Sequence, residues 1–468
     1  MVSPTRSFSH LALTAVLSLA ATAQAFPARA QEEPLSLIRD TEIEEILKND
    51  AAPLYRGAGL EAKSIHILLI GSKDLNAFAS PGTMAVFTGL ILESKSTNQL
   101  QGVMAHEIGH LAGGHSARSG EMSTAGMKPF LLTLGLGVLA ALAGNGEAGA
   151  ILAGNAGYFG TLGALGYSRE QESRADQAGA TYLEASGISG RGLVEFFDNF
   201  RYQEVFQEAR RYPYFRSHPL SSDRIEALRA RVEKLPHYGE PDDPKLDVAH
   251  AIMKAKLQGF INPTIAIVKC SDKVQDYPTR YACAIAQYQL KEPDKALKLI
   301  DALLVEQPNN PYLWELKGQV LFEFGRAAEA EAPQRKSVAL NPDAPLLRVN
   351  LGQTLTALTD NAKVDEGIAE LKKSLVLDDE NSAAWRLLAE AYDHRGLDGL
   401  ARYATAEYNF QEGDKHQALI FGMRARELLT KGTPEWRRAT DIVLASNPDK
   451  GILKDVDSSG KSPKGGLN

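Results

Sequence analysis

Apolar and polar positions follow several different rhythms along this chain, and each rhythm predicts a different element. Near the N-terminus, Arg6 precedes an apolar run from Leu11 to Ala23, and small residues follow at Ala23-Gln24-Ala25 and Ala28-Arg29-Ala30. This is the pattern of a secretory signal peptide over residues 1–30, cleaved after Ala25 or Ala30, and too short to span a bilayer. Two β-rich runs, Ile65–Ile70 and Met84–Phe87, are bounded by Gly, Ser and Pro and predict short strands. An edge strand of this kind can pair its main chain with an extended peptide. From Ser168 through Leu183 and Ala185 the pattern predicts a helix that stops at Gly187.

Between these lie two stretches with no charge, residues 129–146 and 148–168, each approaching bilayer-spanning length. Glycines such as Gly135, Gly144, Gly154 and Gly163 break both, so they are expected as packed Gly/Ala-rich helices or a lid. A hairpin that touches a membrane surface is the alternative.

The second half has a longer rhythm. A composition shift at Gly239-Glu240-Pro241-Asp242-Asp243-Pro244 marks a linker over residues 239–245, and beyond it positions recur every 34 residues: Ala284, Gly318 and Gly352; Ala296 and Ala330; Pro308 and Pro342. Trp314 recurs as Trp385, with Gly325 and Gly396 at the helix–helix turn each time. A helix–turn–helix unit of about 34 residues is the tetratricopeptide repeat, which stacks into a curved protein-binding surface. The array is expected over residues 246–446. The fit loosens after Gly396, where Leu397–Gln411 is expected to serve two neighbouring pairs, and residues 447–468 read as a disordered tail.

Composition narrows the function classes. The formal net charge is −7, and it becomes more negative once Arg6 and Arg29 leave with the leader, so no nucleic acid partner is expected. The only two cysteines, Cys270 and Cys283, are expected to join as a disulfide in an oxidising compartment or to remain two buried thiols. Closing so small a loop would stabilise the fold by around 3 kcal/mol.

The strongest chemical signal is His106-Glu107-Ile108-Gly109-His110, an HExxH pattern. On a helix, residues four apart lie one above the other, so both imidazoles face one ion. Two imidazoles suit Zn²⁺, and Glu107 is placed to act as general base. A hydrolytic zinc site wants a third protein ligand. His115 cannot supply it, because a continued helix would place it about 180° around the axis from His106. The position that a metzincin would fill with histidine, 116, is Ser. Of the later carboxylates, Glu121 and Glu147 sit in Gly-rich, loop-like sequence. Glu172 and Asp176 are again four apart on the predicted helix, which assigns Glu172 as ligand and Asp176 as the second carboxylate that orients a ligand histidine.

HExxH followed by Glu172-Ser173-Arg174-Ala175-Asp176 resembles peptidase family M48. Asn76-Ala77-Phe78-Ala79 with Pro81-Gly82, leading to Met84–Leu90, is similar to that family's strand before the zinc helix. Ser217-His218-Pro219 with Arg224 is similar to its segment after the glutamate. The resemblance covers about residues 40–235; Ser173-Arg174 stands where the family more often has a second acidic residue. It implies an α+β, mostly α-helical chain: a gluzincin-type metallopeptidase domain with a small β-sheet over residues 31–238, then the helical array. It further implies hydrolysis of peptide bonds with one Zn²⁺ bound. His218 would either stabilise the developing oxyanion or fill the open zinc position when no substrate is bound, and Arg224 is the weaker candidate, since an arginine there is usually solvated. An exported peptidase of this family joined to such an array is similar to envelope protease–chaperones of Gram-negative bacteria. That likeness implies a periplasmic location, unfolded or β-barrel outer-membrane proteins as substrates, and docking of the outer-membrane assembly machinery on the array.

Overall fold

The computed structural model describes residues 36–61, 65–80, 82–114, 169–201, 218, 220–270, 275–358 and 360–448. The leader, both uncharged stretches, His115, Glu121, Glu147 and most of the tail lie outside the described residues.

β1 (Ser36–Ile38) leads into α1 (Thr41–Gly57), whose first turn is capped where the Ile43 N–H donates to Asp40 Oδ1 at 2.9 Å. β2 (His66–Gly71), β3 (Ala77–Ser80) and β4 (Thr83–Phe87) complete a four-stranded sheet of order β1-β2-β4-β3. β2 runs parallel to β4 with Ile67 opposite Met84, while β3 lies antiparallel on β4 with Phe78 opposite Ala85. The sequence suggested Ile65–Ile70 and Met84–Phe87 as peptide-pairing strands. Both are inner strands here, and their near-continuous apolar character reflects burial on both faces. The edge strand that packs beside the helix carrying His106 and His110 is β3.

Next come α2 (Thr88–Glu93), α3 (Thr97–Ala112), α4 (Arg169–Ala185), α5 (Arg191–Phe200) and α6 (Ser222–Val232). α3 opens on a side-chain cap: Ser96 Oγ accepts from the Gln99 N–H, and Gln99 Oε1 accepts from the Lys95 N–H just before the cap. It packs closely on α4 and α5 because two of its residues lack a side chain. A Cβ at Gly109 would stand 2.6 Å from the Ala175 carbonyl oxygen, and one at Gly102 would stand 2.7 Å from Leu193 Cα. α4 ends where expected, with Gly187 at φ +70°. Leu47, Leu69, Met84, Leu100, Val103 and Ile108 are fully buried members of the core that these helices and the sheet share.

α7 (Pro244–Ile261) corrects the expected boundary. Asp243 caps it and Pro244 fills its first turn, so the linker ends before residue 245. Met253 and Leu257 enter the peptidase core, while Ile252 and Phe260 pack on the array. The two halves therefore share a helix rather than meeting at a loose linker.

α8 (Pro263–Lys269) is tied to α9 (Tyr277–Gln289) by the Cys270–Cys283 disulfide, with Cα atoms 5.7 Å apart. Helix pairs follow: α9 with α10 (Pro293–Glu306), α11 (Pro311–Glu323) with α12 (Ala327–Leu340), α13 (Pro345–Thr356) with α14 (Asn361–Leu377), α15 (Ser382–His394) with α16 (Asp398–Gln411), and α17 (Lys415–Leu428) with α18 (Pro434–Ala445). Equivalent contacts mark the repeat. Trp314 Nε1 donates to the Pro308 carbonyl, Arg348 Nε to Pro342 and Trp385 Nε1 to Asp379. The last step is longer because α14 runs past the length of α12, which carries the capping residue beyond its end, Asp378, to Arg39 at 3.0 Å. Lys291 occupies the left-handed turn, φ +64°, that Gly325 fills one repeat later. α16 packs on α15, α17 and α18, as its ambiguous sequence suggested. Among the described residues no helix is long and apolar enough to cross a membrane.

Candidate active site

The site forms where α3, α4 and the start of α6 converge. HExxH lies in the last two turns of α3, so His106 and His110 project from one face; their Nε2 atoms are 3.1 Å apart. Glu172 lies in the first turn of α4, directly across the Gly109 contact. Its Oε2 is 3.5 Å from His106 Nε2 and its Oε1 is 3.4 Å from His110 Nε2. One turn further on, Asp176 Oδ1 is 2.8 Å from His106 Nδ1. That contact orients the ring so that Nε2 faces Glu172. All four side chains are buried.

His218 reaches the same point from outside these helices. Its Nδ1 is 3.2 Å from Glu172 Oε1 and 3.4 Å from His106 Nε2, and its Nε2 is 3.7 Å from Glu107 Oε1. Arg224, expected to be solvated, is instead buried. Ser221 caps α6 by accepting from the Arg224 N–H, and the side chain turns back beneath the ligands. Its Nε and Nη2 donate to the two oxygens of Asp176 at 2.8 and 2.9 Å, and its Nη1 lies 3.2 Å from Glu172 Oε2. The expectation of a solvated side chain fails because the helix that carries Arg224 packs its N-terminal turn on α4 rather than into water.

The donor set fits a metal ion. His106, His110, Glu172 and His218 each offer an atom such that all four lie within 4.8 Å of one another. Imidazole nitrogens facing each other at 3.1 and 3.4 Å need a shared cation or a proton between them. Burial lowers the basicity of His106, but the Asp176 and Glu172 carboxylates outweigh it and raise its pKa to about 10. A metal must therefore displace a proton from this cluster. Burial would raise the Glu172 carboxyl, yet His218 and His106 hold it well below the usual carboxylate range, so it is ionised and ready to ligate.

Phe197 on α5 was not legible as part of this arrangement. Its ring stands 5.7 Å from the His106 ring at 90°, and the Arg224 guanidinium lies 5.6 Å from its centroid. In the sequence it is one of three phenylalanines within five residues of an amphipathic helix, a pattern that signals only a core face.

Residues 38–232 match the model of peptidase family M48. The chain is 27% identical over 409 residues to the putative beta-barrel assembly-enhancing protease of Vibrio cholerae, covering 85% of this chain and 82% of that protein. It is 24% identical to the beta-barrel assembly-enhancing protease of Escherichia coli K12, over 76% of this chain and 73% of that one. Protease HtpX of Stutzerimonas stutzeri is 30% identical over 224 residues, covering 41% of this chain and 74% of HtpX. A solved complex, the APC/C hetero-tetramer Cut9–Hcn1, overlaps 78% of this chain and 92% of its own chain at 12% identity and a TM-score of 0.26, too distant to add to what the helix pairs show. With the family model spanning the sheet, the paired histidines and the glutamate helix, and with HtpX 30% identical over 74% of its length, the chain belongs to the metallopeptidases of family M48.

Proposed function

We propose that this chain is an exported zinc endopeptidase that cleaves unfolded or misassembled envelope proteins, with its helical array docking a protein partner during outer-membrane protein assembly and quality control. The observation that carries the reading is the convergence of His106, His110 and Glu172 donor atoms beside Glu107. The names of the relatives, similar over most of their length, support the outer-membrane setting, and the leader-like pattern of residues 1–30 supports export to the periplasm.

One zinc ion per chain would be held by His106, His110 and Glu172, where it would acidify a water and polarise the scissile carbonyl. Glu107 takes the proton of the attacking water and hands it to the leaving amine. Asp176 orients the His106 ring, and Arg224 fixes Asp176. β3 offers its edge to an extended peptide, a mode that reads main chain more than side chain and so suits unfolded clients. Peptidase and array also line an open cleft of about 1060 Å³, with Lys256, Tyr312, Glu315 and Asn350 among its walls, which gives a client or partner room beside α1.

The decisive experiment is Glu107→Gln in the full chain. It should retain one zinc by metal analysis and lose cleavage of unfolded casein; undiminished turnover removes Glu107 as the base. If the variant still supports client assembly, the array works as a chaperone and proteolysis is secondary. His218 is best read as a resting fourth ligand, because its Nδ1 lies among the donors rather than beyond them. His218→Ala should then speed proteolysis. Slower proteolysis makes it an oxyanion donor instead, and an unchanged rate takes it out of the site.

A further inference from the structure

We propose that Phe197 is a positioning residue of the metal site, its ring holding the plane of the His106 imidazole and the aim of the Arg224 guanidinium. The proposal rests on the metallopeptidase reading. The close contact of Nδ1 with Asp176 Oδ1, at 2.8 Å, fixes one point of the His106 imidazole but leaves the ring free to swing about that point. A perpendicular aromatic contact removes the swing. Phe197 makes that contact, with ring planes at 90° to His106, and its ring also meets the Arg224 guanidinium. His106 Nδ1 lies 2.8 Å from Asp176 Oδ1, and Arg224 grips both oxygens, with Nε 2.8 Å from Oδ2 and Nη2 2.9 Å from Oδ1. Phe197, His106, Asp176 and Arg224 thus close a circuit of four contacts, in which no member moves without the next. Two of its members, His106 and Arg224, also reach the Glu172 carboxylate.

The circuit is anchored by backbone. α5 sits on α3 where the Gly102 Cβ position would meet Leu193 Cα at 2.7 Å, and one turn further along each helix His106 meets Phe197. Asn98 locks the approach: its Nδ2 donates to the Ser189 carbonyl at 2.8 Å and its Oδ1 accepts from the Gly192 N–H at 2.7 Å. Phe197 is consequently carried by a helix whose distance from the zinc helix is set by close backbone approach and by one asparagine side chain held at both ends. Its neighbour Phe196 is equally buried; its ring lies 6.2 Å from Phe197 and nearer, at 5.2 Å, to Phe200.

Phe196 therefore supplies the control. Phe197→Met and Phe196→Met replace a ring by an unbranched apolar chain that fills a similar space. In the full chain, three readouts separate positioning from stability: zinc retention against a competing chelator, the visible spectrum of the cobalt-loaded protein, and kcat and KM on unfolded casein. Phe197→Met should release zinc about 10-fold more readily, shift the cobalt spectrum and lower kcat about 10-fold at unchanged KM. Phe196→Met should lose similar thermal stability while keeping all three. The proposal is overturned if Phe197→Met retains wild-type zinc retention and kcat, or if Phe196→Met reproduces the losses. Should the methionine variant fail to fold, Phe197→Leu measured below its melting temperature separates the same two outcomes. A parent protein that binds no zinc sinks the metallopeptidase reading instead, a result distinct from either.

Discussion

At the scale of single residues, the site is a stack of constraints on a few atoms. His106 is constrained by Asp176, Asp176 by Arg224, and Glu172 by His106, His110, His218 and Arg224. Arg224 is the member whose chemistry is least replaceable, because two parallel N–H donors meet the two Asp176 oxygens while a third reaches Glu172. Lysine keeps the charge and loses the fork. Arg224→Lys should therefore weaken zinc retention by about 10- to 100-fold, as loss of an outer hydrogen-bond partner does in metal sites. Chelator competition measures this, and retention equal to the parent would leave Arg224 a merely structural ion pair. HExxH and Glu172 were legible because helical spacing alone brings ligand-type residues to one face. Arg224 was underrated and Phe197 unseen because their roles depend on which helix lies opposite, which spacing does not encode.

At the scale of elements, α1 shows how a buried charge reads out in stability. Asp50 is 1% exposed, and neither carboxylate oxygen has a hydrogen-bond partner among the described residues. Burial, with Asp247 nearby, pushes its pKa up to about 8. The unfolded chain ionises this group near pH 4. Between about pH 4 and 8 the folded protein holds a proton that the unfolded chain has released, so stability falls as pH rises through that window. Asp50→Asn abolishes this titration. Its urea-unfolding stability should fall less steeply between pH 5 and 8 than that of the parent, and identical slopes would show Asp50 already ionised in the fold. The strands teach a related lesson. Their existence was legible from Ile65–Ile70 and Met84–Phe87, but not their order, so the edge was placed on the wrong runs. β3, only four residues long, carried little periodic signal.

At the scale of the whole molecule, the peptidase and the array are joined by a polar clasp. The first turns of α1 meet several helix pairs of the array. Glu42 accepts from Tyr281 Oη at 3.0 Å, Glu45 binds Tyr312 and accepts from Asn341 at 2.8 Å, and Arg39 pairs with Asp378. Lys256 of α7 lies buried between Asp40 and Glu42 at 2.8 and 3.1 Å. The disulfide fastens α8 to the first full repeat pair beside this clasp. Replacing Cys270 and Cys283 by alanine should lower unfolding free energy by about 3 kcal/mol, the entropy of a loop of roughly 15 residues, while leaving the zinc content unchanged. Denaturant titration tests it, and a loss of zinc would show that the array's first pair supports the metal site directly.

The sequence by itself determined what local periodicity can carry: the HExxH face, the glutamate helix that follows it, the 34-residue rhythm of the array and a chain of mixed but mainly helical class. Only the tertiary structure decided which strand is an edge, that α7 belongs to both halves, that Arg224 turns inward, and that α1 enters the array. The physical reason is the same throughout. Spacing along a helix or strand sets which residues share a face, whereas the identity of the surface opposite depends on packing between elements far apart in the chain.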